Sequence, residues 1–108
     1  MKRGDLVTIA QNGDYERKPR PAVVIQSDLF DAMDSVTVCL ITGEETEAAI
    51  LRPALEPDEA NGLRTRSWVQ IDKIATIRRA RVGKIFGHLP DADMKRIGAS
   101  LAVFLGIA

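Results

Sequence analysis

Arg20, Thr42 and Asp72 are the residues of this 108-residue chain best placed to do chemistry. Each stands at one end of an apolar run: Arg20 before Pro21-Ala22-Val23-Val24-Ile25, Thr42 after Val36 to Ile41, and Asp72 after the alternating stretch Thr65 to Ile71. Such runs become buried strands, and polar side chains where a rigid strand meets a loop are where sites are usually built. Arg20 would bring a permanent charge and a planar fork of donors that fits a phosphate, and Thr42 a hydroxyl donor. Arginine, threonine and aspartate together contain what metal-free RNA cleavage could use. The neighbouring 2′-hydroxyl is then the nucleophile, so the protein need only orient the phosphate, stabilise extra charge on its oxygens and help move protons. Each residue also has an ordinary explanation: a solvated strand edge, a strand exit, or a cap on the turn through Lys73.

Other chemistries find less support. There is no phosphate-cradling glycine loop, the single His88 has no second histidine with which to share an ion, and no serine stands in a nucleophile-elbow context. Neither a metal nor a cofactor is expected. The one cysteine, Cys39, excludes an intrachain disulfide and reads as a small buried hydrophobe in a reducing cytoplasm. No apolar stretch approaches the roughly 20 residues that span a bilayer, and Met1-Lys2-Arg3-Gly4-Asp5 has no apolar signal core behind it, so no membrane association is expected. With one Trp, one Tyr and three Phe, an RNA-binding sheet that works chiefly by stacking bases on exposed rings is disfavoured.

Charge is balanced at 15 basic and 15 acidic residues but segregated along the chain. From Glu44 to Glu59 the acids outnumber a single base, Arg52, whereas Lys73, Arg78, Arg79, Arg81 and Lys84 lie in a stretch without acids. A basic face can attract a polyanion even on a neutral protein, because fields are local within about 10 Å at 0.1 M salt.

The elements that must position these residues follow from pattern. Length and an apolar fraction of 45% fit one domain, residues 1–108, with an aliphatic core. Strands are predicted at Asp5–Ile9, Ala22–Ile25 behind Pro21, Val36–Thr42, weakly at Ala48–Leu51, at Thr65–Ile71, and as two short pieces at Ile74–Ile77 and Gly83–Gly87. The second, apolar on both faces, is expected to be central. Ser27 and Asp28 cap a single helical turn. Residues 56–62 lack apolar periodicity and read as loop. Met94, Ile97, Leu101 and Leu105 recur at helical spacing, widened by Val103 and Phe104, in a helix opened by Pro90 and closed by Gly106. Many short strands at close spacing argue for a small barrel or strongly curled sheet.

Taken in order, Arg3-Gly4-Asp5, Arg20-Pro21-Ala22-Val23-Val24-Ile25 with Ser27-Asp28, Leu40-Ile41-Thr42, Ser67-Trp68-Val69-Gln70-Ile71-Asp72-Lys73-Ile74 leading to Gly87, and the closing amphipathic helix resemble the MazF/PemK (Kid) family of toxins over nearly the whole chain. The resemblance implies an α+β fold, mainly β: a small SH3-like barrel with a C-terminal helix, of the CcdB/MazF kind. It implies a homodimeric, metal-independent mRNA interferase that cuts single-stranded RNA, leaves a 2′,3′-cyclic phosphate, inhibits growth and is neutralised by a cognate antitoxin. By position Arg20, Thr42 and Asp72 match the family's catalytic residues.

The chain departs from one branch of the family at Gln70, where that branch has an arginine; the missing charge would then come from Arg64, Arg66 or Arg17. The loop between the first two strands is short, which makes Arg17 and Lys18 the expected substrate contacts, and Arg78, Arg79 and Arg81 the expected landing surface for RNA or for an acidic antitoxin segment. Two other readings fit the same resemblance. One is a gyrase poison like CcdB, acting through its C-terminal end, although such proteins favour a Trp there and this chain has its one Trp at position 68. The other is a catalytically inactive binding module.

Overall fold

The computed structural model describes residues 1–10 and 19–108, so Arg17 and Lys18 lie outside the described residues. Among the described residues six strands form one antiparallel sheet: β1 (Asp5–Ile9), β2 (Arg20–Val24), β3 (Ser35–Thr42), β4 (Ala54–Leu55), β5 (Ser67–Arg78) and β6 (Val82–His88), in the spatial order β4-β5-β3-β2-β1-β6. Among the described residues one α-helix, α1 (Asp91–Phe104), follows. β2 is flanked by β1 and β3, and Ala22, Val23 and Val24 are each 0–1% exposed, as its two-sided apolar sequence requires.

Strand alternation sorts the core into two clusters. Leu6, Val23, Cys39, Ile41, Val69 and Ile71 pack with Leu89 and with Met94, Ile97 and Leu101 of α1. Val7, Ile9, Ala22, Val24, Val36 and Val38 pack on the other face with Leu40, Ala75, Ile77 and Val82. The parity holds along β1, β2 and β3 but breaks in β5, where Val69, Ile71 and Ile74 join the first cluster and Ala75 and Ile77 the second. The cause is a bulge: β5 advances from Val69 to Ile74 while β3 advances only from Ile41 back to Cys39. Extra residues in one strand of a pair re-aim the side chains around them, and this bulge carries Gln70 to Lys73.

Several sequence expectations change here. The pieces predicted at 65–71 and 74–77 are one continuous twelve-residue strand, so Asp72 lies inside β5 and not beyond a strand end. The weak strand expected at Ala48–Leu51 is a turn, in which Arg52 N–H donates to the Ala48 carbonyl, and the short β4 comes after Pro53. The Pro53 carbonyl accepts from Val69 N–H, as that of Leu51 accepts from Ile71 N–H.

The segment read as loop is ordered around a polar centre. Asn61, 2% exposed, accepts from the Asp58 and Leu63 N–H groups and donates to the Glu56 carbonyl, satisfying its buried amide. It lies so close to β6 that a Cβ at Gly87 would come within 2.1 Å of the Asn61 carbonyl oxygen. In α1, Met94, Ile97 and Leu101 are buried as expected, but Val103, Phe104 and Leu105 are 45–56% exposed. Gly106 at φ 76 turns the chain out, with Ile107 N–H donating to the Ala102 carbonyl. Among the described residues no helix is long and apolar enough to cross a membrane.

Candidate active site

Arg20 opens β2 and Thr42 closes β3. The β2–β3 ladder pairs Ala22 with Leu40, Val23 with Cys39 and Val24 with Val38. Continued by two residues, that register sets Arg20 across from Thr42, and Thr42 is itself paired with Trp68 of β5. Directly opposed residues of an antiparallel pair share a face, with Cβ atoms about 4.5–5.5 Å apart. Arg20, Thr42 and Trp68 therefore form a row across three strands, on the face away from α1. The Arg20 side chain borders a hollow of about 240 Å³ with Ile9, Ala10, Leu40, Ala75 and Ile77, an apolar setting that strengthens any charge contact made there. The guanidinium has no ion-pair partner among the described residues. Thr42 Oγ1 accepts from Glu44 N–H at 3.1 Å, which leaves its hydroxyl hydrogen available to a ligand.

Asp72 is held differently. Its two carboxylate oxygens accept from Nε and Nη2 of Arg52, each at 3.1 Å. The Arg52 hydrogen bonds, outweighing partial desolvation, hold the Asp72 carboxyl below the usual carboxylate range. Burial pushes the thiol of Cys39, paired with Ile74 at the bulge, up to about 12, with the Asp72 charge adding to the effect; it is an inert core residue. Gln70, 9% exposed, shares the Trp68 face by alternation, and its Oε1 is buried with no hydrogen-bond partner among the described residues.

The remaining cations separate into groups. The Arg66 guanidinium carbon lies 5.3 Å from the centroid of the Trp68 ring, and its Nε pairs with Glu56 at 2.7 Å. Arg64 lines a groove of about 630 Å³ with Thr8, Pro21, Lys84 and Phe86, on the face opposite Arg20 by alternation along β2. Arg79 donates through its guanidinium to the carbonyls of Met33 and Asp31, and Arg81 to that of Ala10 at 2.8 Å. Arg78 borders a separate hollow with Asp34 and Ser35. The structure thus brings Arg20, Thr42, Gln70 and Arg66 to one side of the sheet. It sets Arg64 on the other, and it commits Arg79 and Arg81 to main-chain carbonyls.

Two residues with a part in the site were not singled out from sequence. Trp68 had a visible place in an alternating strand, but its pairing with Thr42 depends on register. Arg52 carried a signal that could have found it, as the one base in an acidic stretch facing a later acid.

Comparison with known proteins fits this geometry. The profile of the PemK-like, MazF-like toxins of type II toxin-antitoxin systems matches residues 2–105. The chain is 47% identical over 108 residues, all of it and 99% of the relative, to the probable endoribonuclease MazF of Mycolicibacterium smegmatis. Its fold is shared with MazF of Deinococcus radiodurans in a MazE–MazF crystal structure, with TM-score 0.81 at 17% identity over 100% of this chain and 98% of that one. A mycobacterial endoribonuclease solved with its cognate antitoxin gives TM-score 0.79 at 20% identity, over 100% and 97%. The Mycobacterium tuberculosis toxin MazF-mt6 gives 0.78 at 22%, over 95% and 98%. This chain belongs to the PemK-like, MazF-like family of type II toxins.

Proposed function

We propose that this protein is a metal-independent, sequence-selective endoribonuclease of single-stranded RNA, the toxin of a type II toxin-antitoxin system, held inactive by a cognate antitoxin. Residues 1–108 act as one domain in a homodimer, and the curled sheet with its closing helix is read as an SH3-like barrel. The observation that carries the reading is the β2–β3 register, which, continued two residues beyond its last pair Ala22–Leu40, aligns a cation unpaired among the described residues with a hydroxyl donor. Relatives named for this activity, and neighbours solved with antitoxins, support it.

In this reading Arg20 grips the non-bridging oxygens of the scissile phosphate, and Thr42 Oγ1 donates to the same group as charge builds there. The 2′-oxygen attacks phosphorus, the bond to the 5′-oxygen breaks, and a 2′,3′-cyclic phosphate and a 5′-hydroxyl result. One proton leaves the 2′-hydroxyl and one reaches the departing 5′-oxygen. Asp72, ionised and gripped by Arg52, is not the acid in the free protein; the same grip lowers its basicity, so its charge suits orientation of Arg52 rather than acceptance of a proton. Arg17, Lys18 and Arg66 would extend contact along the strand. The gyrase-poison alternative is not favoured: the one Trp is 6% exposed in β5 and pairs with Thr42.

The test is purified protein with single-stranded RNA in EDTA. Cleavage to cyclic-phosphate ends is expected, with Arg20→Ala slower by about 10²–10³-fold, the scale of losing one transition-state donor. Absence of cleavage, or an undiminished rate in the variant, overturns the proposal.

A further inference from the structure

A nuclease that reads sequence must touch bases, and this chain has few rings with which to do so. The row Arg20–Thr42–Trp68 continues the phosphate site by one strand spacing, about 4.8 Å, to a ring that is itself 6% exposed. What a ligand meets there is the group lying on that ring. The Arg66 guanidinium rests over Trp68 at 5.3 Å, and the Arg66 side chain is 52% exposed. Its Nε lies 2.7 Å from a Glu56 carboxylate oxygen, an ion pair that occupies one edge of the guanidinium. The surface left to a ligand is the exposed half of a planar, delocalised cation.

We propose that Arg66, laid on Trp68, is a stacking platform for a nucleobase of the RNA next to the scissile phosphate. Guanidinium planes stack on aromatic faces, and a base carries such a face whatever its identity. The Trp68–Arg66–base sandwich gives position without reading hydrogen bonds. It supplies a planar contact where exposed aromatic rings are scarce. The separation between a nucleotide's phosphate and its own base is of the same order as the strand spacing that separates Thr42 from Trp68. Arg66 thereby acts through its plane and not as one more phosphate-binding charge.

The inference rests on the assignment of Arg20 and Thr42 to the phosphate, and its experiment does not depend on cleavage. Affinity is measured by fluorescence anisotropy for a random-sequence 2′-O-methyl RNA, which lacks the nucleophile, and for an abasic 2′-O-methyl ribose-phosphate strand of equal length. Wild type is expected to prefer the strand with bases by about tenfold, within the range for one stacked base. Arg66→Ala should bind both equally, and Arg66→Lys, which keeps the charge and loses the plane, should lose most of the preference. Arg66 is exposed, so melting temperatures should change little and serve as the folding control. Equal binding by wild type, a preference retained in Arg66→Ala, or Arg66→Lys behaving as wild type overturns the platform. If instead all-ribose RNA is not cut in EDTA while the base preference stands, it is the nuclease reading that has failed.

Discussion

The two ends of β3 both border arginines, and they use them in opposite ways. At the Thr42 end, Arg20 has no ion-pair partner among the described residues, and the Arg66 guanidinium lies over the Trp68 ring at 5.3 Å with half its side chain exposed. At the Ser35 end, Arg79 closes the Asp28–Phe30 turn onto β5 through the carbonyls of Asp31 and Met33, and its own N–H donates to the Asp34 carbonyl. Arg81, which the β1–β6 register sets beside Ile9 and so nearer Arg20, is likewise committed, to the Ala10 carbonyl. In sequence the stretch that holds Arg79 and Arg81 is the denser run of positive charge. A basic run marks a binding surface only where its donors are not already satisfied by the protein's own acceptors, because freeing them for a ligand costs the bonds they hold.

The sharpest way to break this comparison is to truncate one arginine from each end. Arg20→Ala should lose about 10²–10³-fold in cleavage with its melting temperature nearly unchanged. Arg79→Ala should keep its cleavage rate and lose about 1–2 kcal/mol of stability, a melting shift of roughly 4–8 °C per kcal/mol for a domain this size. An Arg79→Ala protein of normal stability with weakened RNA affinity would erase the distinction between the two ends.

A smaller effect is expected at the Arg52–Asp72 pair, where the folded carboxyl titrates below its ordinary range. A group with a lowered folded pKa stabilises the fold above its unfolded pKa, and loses that contribution as pH falls through the folded value. Urea midpoints of wild type should therefore drop more steeply in acid than those of Asp72→Asn. Parallel curves would show that the pair contributes nothing to stability. Arg52→Ala should cost about 1 kcal/mol near neutral pH.

The smallest effect concerns Gln70, whose buried Oε1 lacks a partner among the described residues. Gln70→Met should raise the urea midpoint by an amount equivalent to about 0.5–1 kcal/mol, since a buried unpaired acceptor is removed at similar volume. A lowered midpoint would show that the carboxamide is paired in solution.

Much of this was legible in the chain. The runs behind Pro21 and from Val36 to Thr42 became β2 and β3 because β-branched residues in short apolar stretches have few other ways to be buried. The stripe Met94, Ile97 and Leu101 gave α1 for the same reason at helical spacing, while Leu105, expected in that stripe, fell beyond the helix end and stayed exposed. Ala48–Leu51 was misread because four apolar residues in a row carry no information on strand or turn, and the choice went to hydrogen bonds with β5. Asp72 looked like the end of a strand because the bulge breaks the alternation there, a break that exists only against a partner strand.

The sequence by itself determined β1, β2, β3 and α1, the aliphatic core and the candidacy of Arg20 and Thr42, since propensity, periodicity and side-chain chemistry are local properties. Only the tertiary structure decided that Arg20, Thr42 and Trp68 stand in one row, that Arg52 grips Asp72, that Arg66 covers Trp68, and that Arg79 and Arg81 are bound to carbonyls. These are contacts between residues distant along the chain. The row is set by strand register, and a shift of one residue would turn Arg20, Thr42 and Trp68 to the opposite face.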